Sequence, residues 1–284
     1  MHGIFIAGLG RAGRGLLGLA RQHDLPILGS WRGRSQSDLP ELPTEACTLL
    51  LAVPDPVVAP LTVALWEARR LVEGSVVLHL AARLNGAEAR PDAGAPMHFG
   101  GFHPLQAFPA EGPVLPGFFV GIGGEDEACA TARELADALV LPWFSLNDEA
   151  RPAYHAAAVL CSNLLVGLQA VAQASMARAL DMPDEEAAAL LEPLAMGTLS
   201  NLAGNSPVQA LTGPIARGDA DAVLLHLDVL EESARRAYAS LSLALLDSTA
   251  ERFAPAQLRR LRARLESTCL EGIDRRPPAR ELAE

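Results

Sequence analysis

The sequence predicts an α/β N-terminal half built on a doubly wound parallel sheet, followed by an all-α C-terminal half. Three observations carry that expectation. Short apolar runs alternate with helical stretches as far as Leu139, and a glycine turn follows the first run. Strand signals then stop near Asn147, where alanine- and leucine-rich stretches take over. The domain boundary is placed there, with one domain over 1–147 and a second over 148–284.

The elements follow in order. "GIFIAG" (3–8) is a short apolar run ending in glycine and reads as a buried strand, with "RAGRGLLGLARQH" (11–23) as the helix after it. "PILGSW" (26–31) and "CTLLLAVP" (47–54) are the next two strands, followed by a helix in "PVVAPLTVALWEARRLV" (56–72). "SVVLHLA" (75–81), "PMHFGGFHP" (96–104) and "GFFVGIGG" (117–124) supply three more strands. "EDEACATARELADAL" (125–139) reads as a helix whose early acids favour the positive end of the dipole. In the second half, long helices are expected over 153–179, 184–202, 219–246 and 254–265, with a loop or short helix over 204–219.

Bulk properties narrow the function. The net charge of −11 argues against a nucleic-acid surface, which needs a basic stripe. All 23 basic residues are arginine, so neither a Schiff base nor a lysine acid can operate. The four cysteines form no C-x-x-C pair; they read as buried thiols of a cytoplasmic protein and signal neither a metal site nor a redox pair. No run approaches eighteen unbroken apolar residues, so no membrane span is expected.

"GLGRAG" (Gly8, Leu9, Gly10, Arg11, Ala12, Gly13) has G-x-G-x-x-G spacing between a strand and a helix. Gly8 would allow the tight turn, Gly10 the approach of a pyrophosphate, and Gly13 close helix–strand packing. This context makes the first domain Rossmann-like and dinucleotide-binding. An NAD site would place an acid at the end of the second strand. That place holds Ser30, Arg32, Arg34 and Ser35, with no acid before Asp38, which favours a 2′-phosphate and hence NADP(H). Val53 and Pro54 would line the cofactor path at the end of the third strand, and Asp55 reads as a helix cap.

Candidate catalytic groups are fewer. His103 and Gln106 lie beyond the fifth strand; His103-Pro104 is open to reading as a structural turn or as part of an active site. His79 reads as a core histidine, and His226 as a core or interface one. In "RPAYHAAAVLCSNLLVGL" (151–168), one continuous helix would set His155, Ser162 and Asn163 near one face. Those groups either serve the site or satisfy a buried interface. Asn201 and Thr212 are open to roles as cleft residues or as parts of ordinary turns.

The order "GLGRAG … AVPDP … HPLQAF … YHAAAVLCSN … TLSNL … LTGPIARGD" resembles a bacterial family with a Rossmann-like N-terminal domain and a helical C-terminal domain of formerly unknown function. Its members are described as NADP oxidoreductases, and it is similar to ketopantoate reductases, prephenate dehydrogenases and β-hydroxyacid dehydrogenases. "HPLQAF" resembles the H-P-M-A-G motif of prephenate dehydrogenases. Against the K-x-x-x-N-x-x-x-N of ketopantoate reductases, His155 falls at the lysine, Val159 at the first asparagine and Asn163 at the second. "HLAARLNG" departs from the small Ser-Gly pair frequent in the family. The resemblance implies NADP(H)-dependent reduction of a small carbonyl or imine, such as a 2-oxo acid like ketopantoate. It implies His155, His103 and Asn163 as catalytic groups, and Gln106, Ser162, Asn201 and Thr212 as substrate contacts. It further implies a homodimer formed through a helical domain like that of 6-phosphogluconate dehydrogenase. A second reading from another class is an NADP(H)-binding sensor without turnover.

Overall fold

A computed structural model describes residues 2–33 and 38–271. The chain forms two compact units, Met1–Ser162 and Asn163–Glu284. The first begins with β1 (Ile4–Ala7), α1 (Arg11–Gln22), β2 (Ile27–Trp31), β3 (Thr48–Leu51), α2 (Asp55–Glu67) and β4 (Val76–His79). It continues with α3 (Gly86–Ala89), β5 (His98–Pro104), β6 (Val120–Gly124), α4 (Asp126–Ala138), β7 (Trp143–Ser145) and α5 (Arg151–Cys161). The strands form one sheet in the order β2-β1-β3-β4-β5-β6-β7. It is the expected doubly wound, Rossmann-like architecture, with a switch point between β1 and β3.

Alternation along the strands divides the core into two layers. Ile4, Ile6, Leu50, Leu78 and Phe102 pack with Leu16 of α1 and Leu135 of α4. Phe5, Leu49, Leu51, Val77 and Phe99 pack with Val58, Leu61 and Leu65 of α2. Two features depart from the expected parallel sheet. β6 runs antiparallel to β5, and β7, absent from the sequence reading, pairs parallel with β6. No helix lies between β5 and β6, and an antiparallel neighbour needs no helical crossover.

The compact unit also extends one helix beyond the boundary placed at Asn147, because α5 packs its first turns onto the sheet. The helix expected over 153–179 breaks at Ser162, whose backbone (φ −116°, ψ −76°) caps α5.

The second unit contains α6 (Asn163–Leu180), α7 (Asp184–Leu202), α8 (Pro207–Ala210), α9 (Gly213–Arg217), α10 (Ala220–Val229), α11 (Glu232–Asp247) and α12 (Pro255–Leu270). The helix expected over 219–246 is therefore two helices, α10 and α11, and 204–219 contains two short ones. The core of this unit comes from α9–α12: Ile215, Val223, Leu227, Leu246, Leu261 and Leu265. By contrast, α6 buries only Ala177 and α7 only Ala187. By length and composition, the run Arg151–Leu180 is apolar enough to cross a membrane, which counting unbroken apolar runs had not shown.

Candidate functional site

The glycine turn lies at the switch point and divides its work as the spacing requires. Gly8 adopts φ +104°, and a Cβ there would stand 2.3 Å from the Ala52 carbonyl oxygen. A Cβ on Gly13 would stand 1.8 Å from the Gly8 carbonyl oxygen, so only glycine lets α1 come this close to β1. At Gly10 the opposite holds: φ is −67°, and nothing lies within 4 Å of an added Cβ. Gly10 is also the N-cap of α1, where no side chain caps the helix and no acid occupies the first turn. That leaves an open, backbone-lined helix N-terminus suited to an anion. Ala12 lies in the first turn of α1. Arg14 braces the turn by donating from Nη1 to the Leu9 carbonyl at 3.0 Å. Arg11, with Arg14, lines a separate cavity of about 590 Å³ beside the 109–114 segment.

Next to the turn is a cavity of about 740 Å³, bordered by Trp31, Arg32, Asp38, Val53, Val57 and Pro60. Its apolar walls and single arginine suit a flat base and an attached phosphate. Of the residues picked from the sequence, Arg32 and Val53 line this cavity. Pro54 instead caps α2, with Asp55 in its first turn. Ser30 is not among the lining residues and alternates away from Trp31 along β2. Arg34 and Ser35 lie outside the described residues. Asp38, the first acid after the second strand, shares the cavity with Arg32.

A second group stands further along the same sheet. Leu51, His79, Gly101 and Gly123 are in register across β3–β6, so one face carries the His79 ring beside two bare glycines. In the next row of that face, His103 of β5 opposes Gly121 of β6. α5 lies over this glycine floor. Arg151, Tyr154 and His155 share one side of the helix through i,i+3 and i,i+4 spacing. Arg151 is 2% exposed, and a Cβ on Gly123 would stand 2.5 Å from its Nη2. Its Nε donates to Asp148 at 2.8 Å, while Nη2 has no partner.

His103 Nδ1 and the Tyr154 hydroxyl lie 2.6 Å apart, with the two rings edge-on at 5.5 Å. Phe144 of β7 holds the other side of the Tyr154 ring at 5.7 Å. Burial, then the charges of His155, Arg151 and His79, pushes the His103 pKa down to about 4. Burial also lowers that of fully enclosed His79 and raises that of the Tyr154 phenol, an effect the Arg151 charge partly opposes. His103 is thus a neutral imidazole at neutral pH. His155 is half-buried, with Nδ1 enclosed and unpartnered.

The structure therefore joins His103 and His155 in one group, adding Arg151 and Tyr154, which the sequence reading passed over. The pairing of "GGFH" with "VGIGG" was the available signal: facing glycines leave room for a helix. Gln106 lies elsewhere in its loop, bonding the Leu115 carbonyl at 3.1 Å and accepting from the Ala107 N–H at 3.0 Å. Ser162 is at the end of α5. Asn163, Asn201 and Thr212 belong to the helical unit, where each is exposed. His226 meets Tyr238 at 2.9 Å within that unit, in keeping with a packing role.

A family model described as a domain of unknown function (DUF2520) matches residues 118–245. No functionally curated protein matches the chain. Among solved structures, it is similar to a Bacteroides fragilis protein provisionally described as an NADP oxidoreductase. That pair shares 20% identity and a TM-score of 0.69, over 87% of this chain and 98% of the other. A Thermotoga maritima protein matches at 19% identity and TM-score 0.62, over 87% of this chain and 98% of that one. A pyrroline-5-carboxylate reductase from Coxiella burnetii matches at 14% identity and TM-score 0.52, over 89% and 99%. At these identities the likeness establishes the fold.

Proposed function

We propose that the chain is an NADP(H)-dependent oxidoreductase that reduces a small carbonyl or imine compound. The observation that carries this reading is Gly10: an open, unstrained glycine at an uncapped helix N-terminus, between two glycines that tolerate no side chain. The residues present fit a dinucleotide. Gly8, Gly10 and the start of α1 would hold the pyrophosphate, with the adenosine end in the cavity of Trp31, Arg32 and Val53. Arg32 supports a 2′-phosphate; Asp38 beside it would suit a ribose hydroxyl, so the two residues set the preference between NADPH and NADH. NADPH, when bound, supplies a hydride. The chain's own contribution is a group able to hold and move a proton, the His103–Tyr154 pair with His155 beside it. The names of the Bacteroides and Coxiella proteins agree with a reductase reading.

Substrates worth testing are 2-oxo acids, ketopantoate among them, and cyclic imines. NADPH consumption should appear with at least one of them. Saturable NADPH binding with no consumption across both classes would favour the sensor reading instead.

We also propose that a second copy covers α6 and α7. α6 carries Arg178 as its single charge, α7 past its acidic first turn carries only Glu192, and helices this apolar are normally buried. Leu164, Val166, Leu190, Leu194 and Met196 are all more than half exposed, a larger apolar surface than a soluble monomer usually shows. A self-complementary two-fold contact would cover it, and the net charge of −11 opposes adsorption to an anionic bilayer.

A further inference from the structure

We infer that Tyr154 is the proton donor of the site, with His103 as its neutral partner. This rests on the reductase reading above. Besides His103, four groups stand near the glycine floor, and two of them, His79 and Arg151, are unsuited to meet a substrate. His79 is fully enclosed. Arg151 is 2% exposed and lies against Gly123, and arginine does not give up its proton. His155, half-buried like Tyr154, has its Nδ1 sealed without a partner, and no hydrogen bond among the described residues fixes its ring.

Tyr154 differs from all of them. It is half-buried, its ring is held between His103 and Phe144, and its hydroxyl has one short contact, at 2.6 Å to His103 Nδ1. A phenol oxygen can accept one hydrogen bond while donating its own proton elsewhere. If His103 carries its proton on Nδ1, it donates to that oxygen and leaves the phenol hydrogen free for a substrate.

The transfer balances with the hydride that NADPH would supply and one proton drawn from solvent. As the substrate's C=O or C=N bond takes up hydride at carbon, its π electron pair moves to oxygen or nitrogen. That atom takes the Tyr154 proton. The phenolate then takes the Nδ1 proton of His103, while His103 Nε2 takes one from water, and the imidazole ends as the other neutral tautomer. Arg151 is a positioning residue in this scheme: its charge, fixed against the sheet, opposes protonation of His103 and favours the phenolate.

The chain has two tyrosines, so Tyr238→Phe leaves Tyr154 as the sole phenol. In that background its ionisation can be followed by phenolate absorbance, without cofactor or substrate. His103→Phe keeps a ring in place and removes the hydrogen bond. If His103 donates to the phenol, this change moves the Tyr154 titration to higher pH. A downward move means that His103 accepts the phenol proton, and an unmoved titration means that the pair does not interact; either overturns the inference. With NADPH and an accepted substrate, Tyr154→Phe should lower kcat by about a hundredfold or more while NADPH affinity holds. An undiminished kcat overturns the inference and leaves the reductase reading standing. If the parent protein binds no NADPH, that reading fails and this inference with it.

Discussion

His103 shows how much a residue's meaning depends on neighbours remote in sequence. In the chain it is a histidine before a proline. In the fold it stands among His79 of β4 and Arg151, Tyr154 and His155 of α5, and the charges acting on it, those of His155, Arg151 and His79, are all positive. Its pKa falls from the usual 6.5 to about 4. The unfolded chain therefore binds this proton more readily than the fold does. The resulting stability is fully present above pH 6.5 and is lost as pH falls through about 4. For a partly exposed group the loss is on the order of 2 kcal/mol. Chemical denaturation at a series of pH values should show it, and His103→Phe should flatten the decline over that window. An unchanged acid slope in the variant would show that His103 is not held neutral.

Among the elements, helices and strands were legible where local pattern decides. The bounds of α7, Asp184–Leu202, coincide with the sequence expectation, as acids at its start and an alanine-rich body would suggest. The break at Ser162 was not legible, because no proline or glycine marks it. The antiparallel turn into β6 was hidden because strand pattern carries no direction. α6 and α7 read as long alanine- and leucine-rich helices, and the core of their unit is built without them. That mismatch makes a test. The parent protein should sediment as a dimer, and Val166→Asp combined with Leu194→Asp should give a folded monomer. A parent that remains monomeric at high concentration would remove the proposed second copy.

At the scale of the whole molecule, the sequence showed an α/β unit followed by a helical one, and the fold agrees. The nucleotide end of the candidate site was also legible, because each glycine of "GLGRAG" has a local steric task. The chemical end was only half legible: His103 and His155 were picked out, while Arg151 and Tyr154 depend on a glycine floor made by two strands that meet only in the fold. The central claim is that Gly10 is open because a dinucleotide approaches it. NADPH titration of the parent and of Gly10→Asp, alongside their thermal unfolding, tests this most directly. With φ at −67° and open space around it, Gly10 can accept aspartate without loss of stability. The account expects saturable binding in the parent, and binding weakened about a hundredfold or more in Gly10→Asp at an unchanged Tm, because the new carboxylate would occupy and repel the pyrophosphate position. Equal NADPH affinity in the two proteins, or none in the parent, would contradict it.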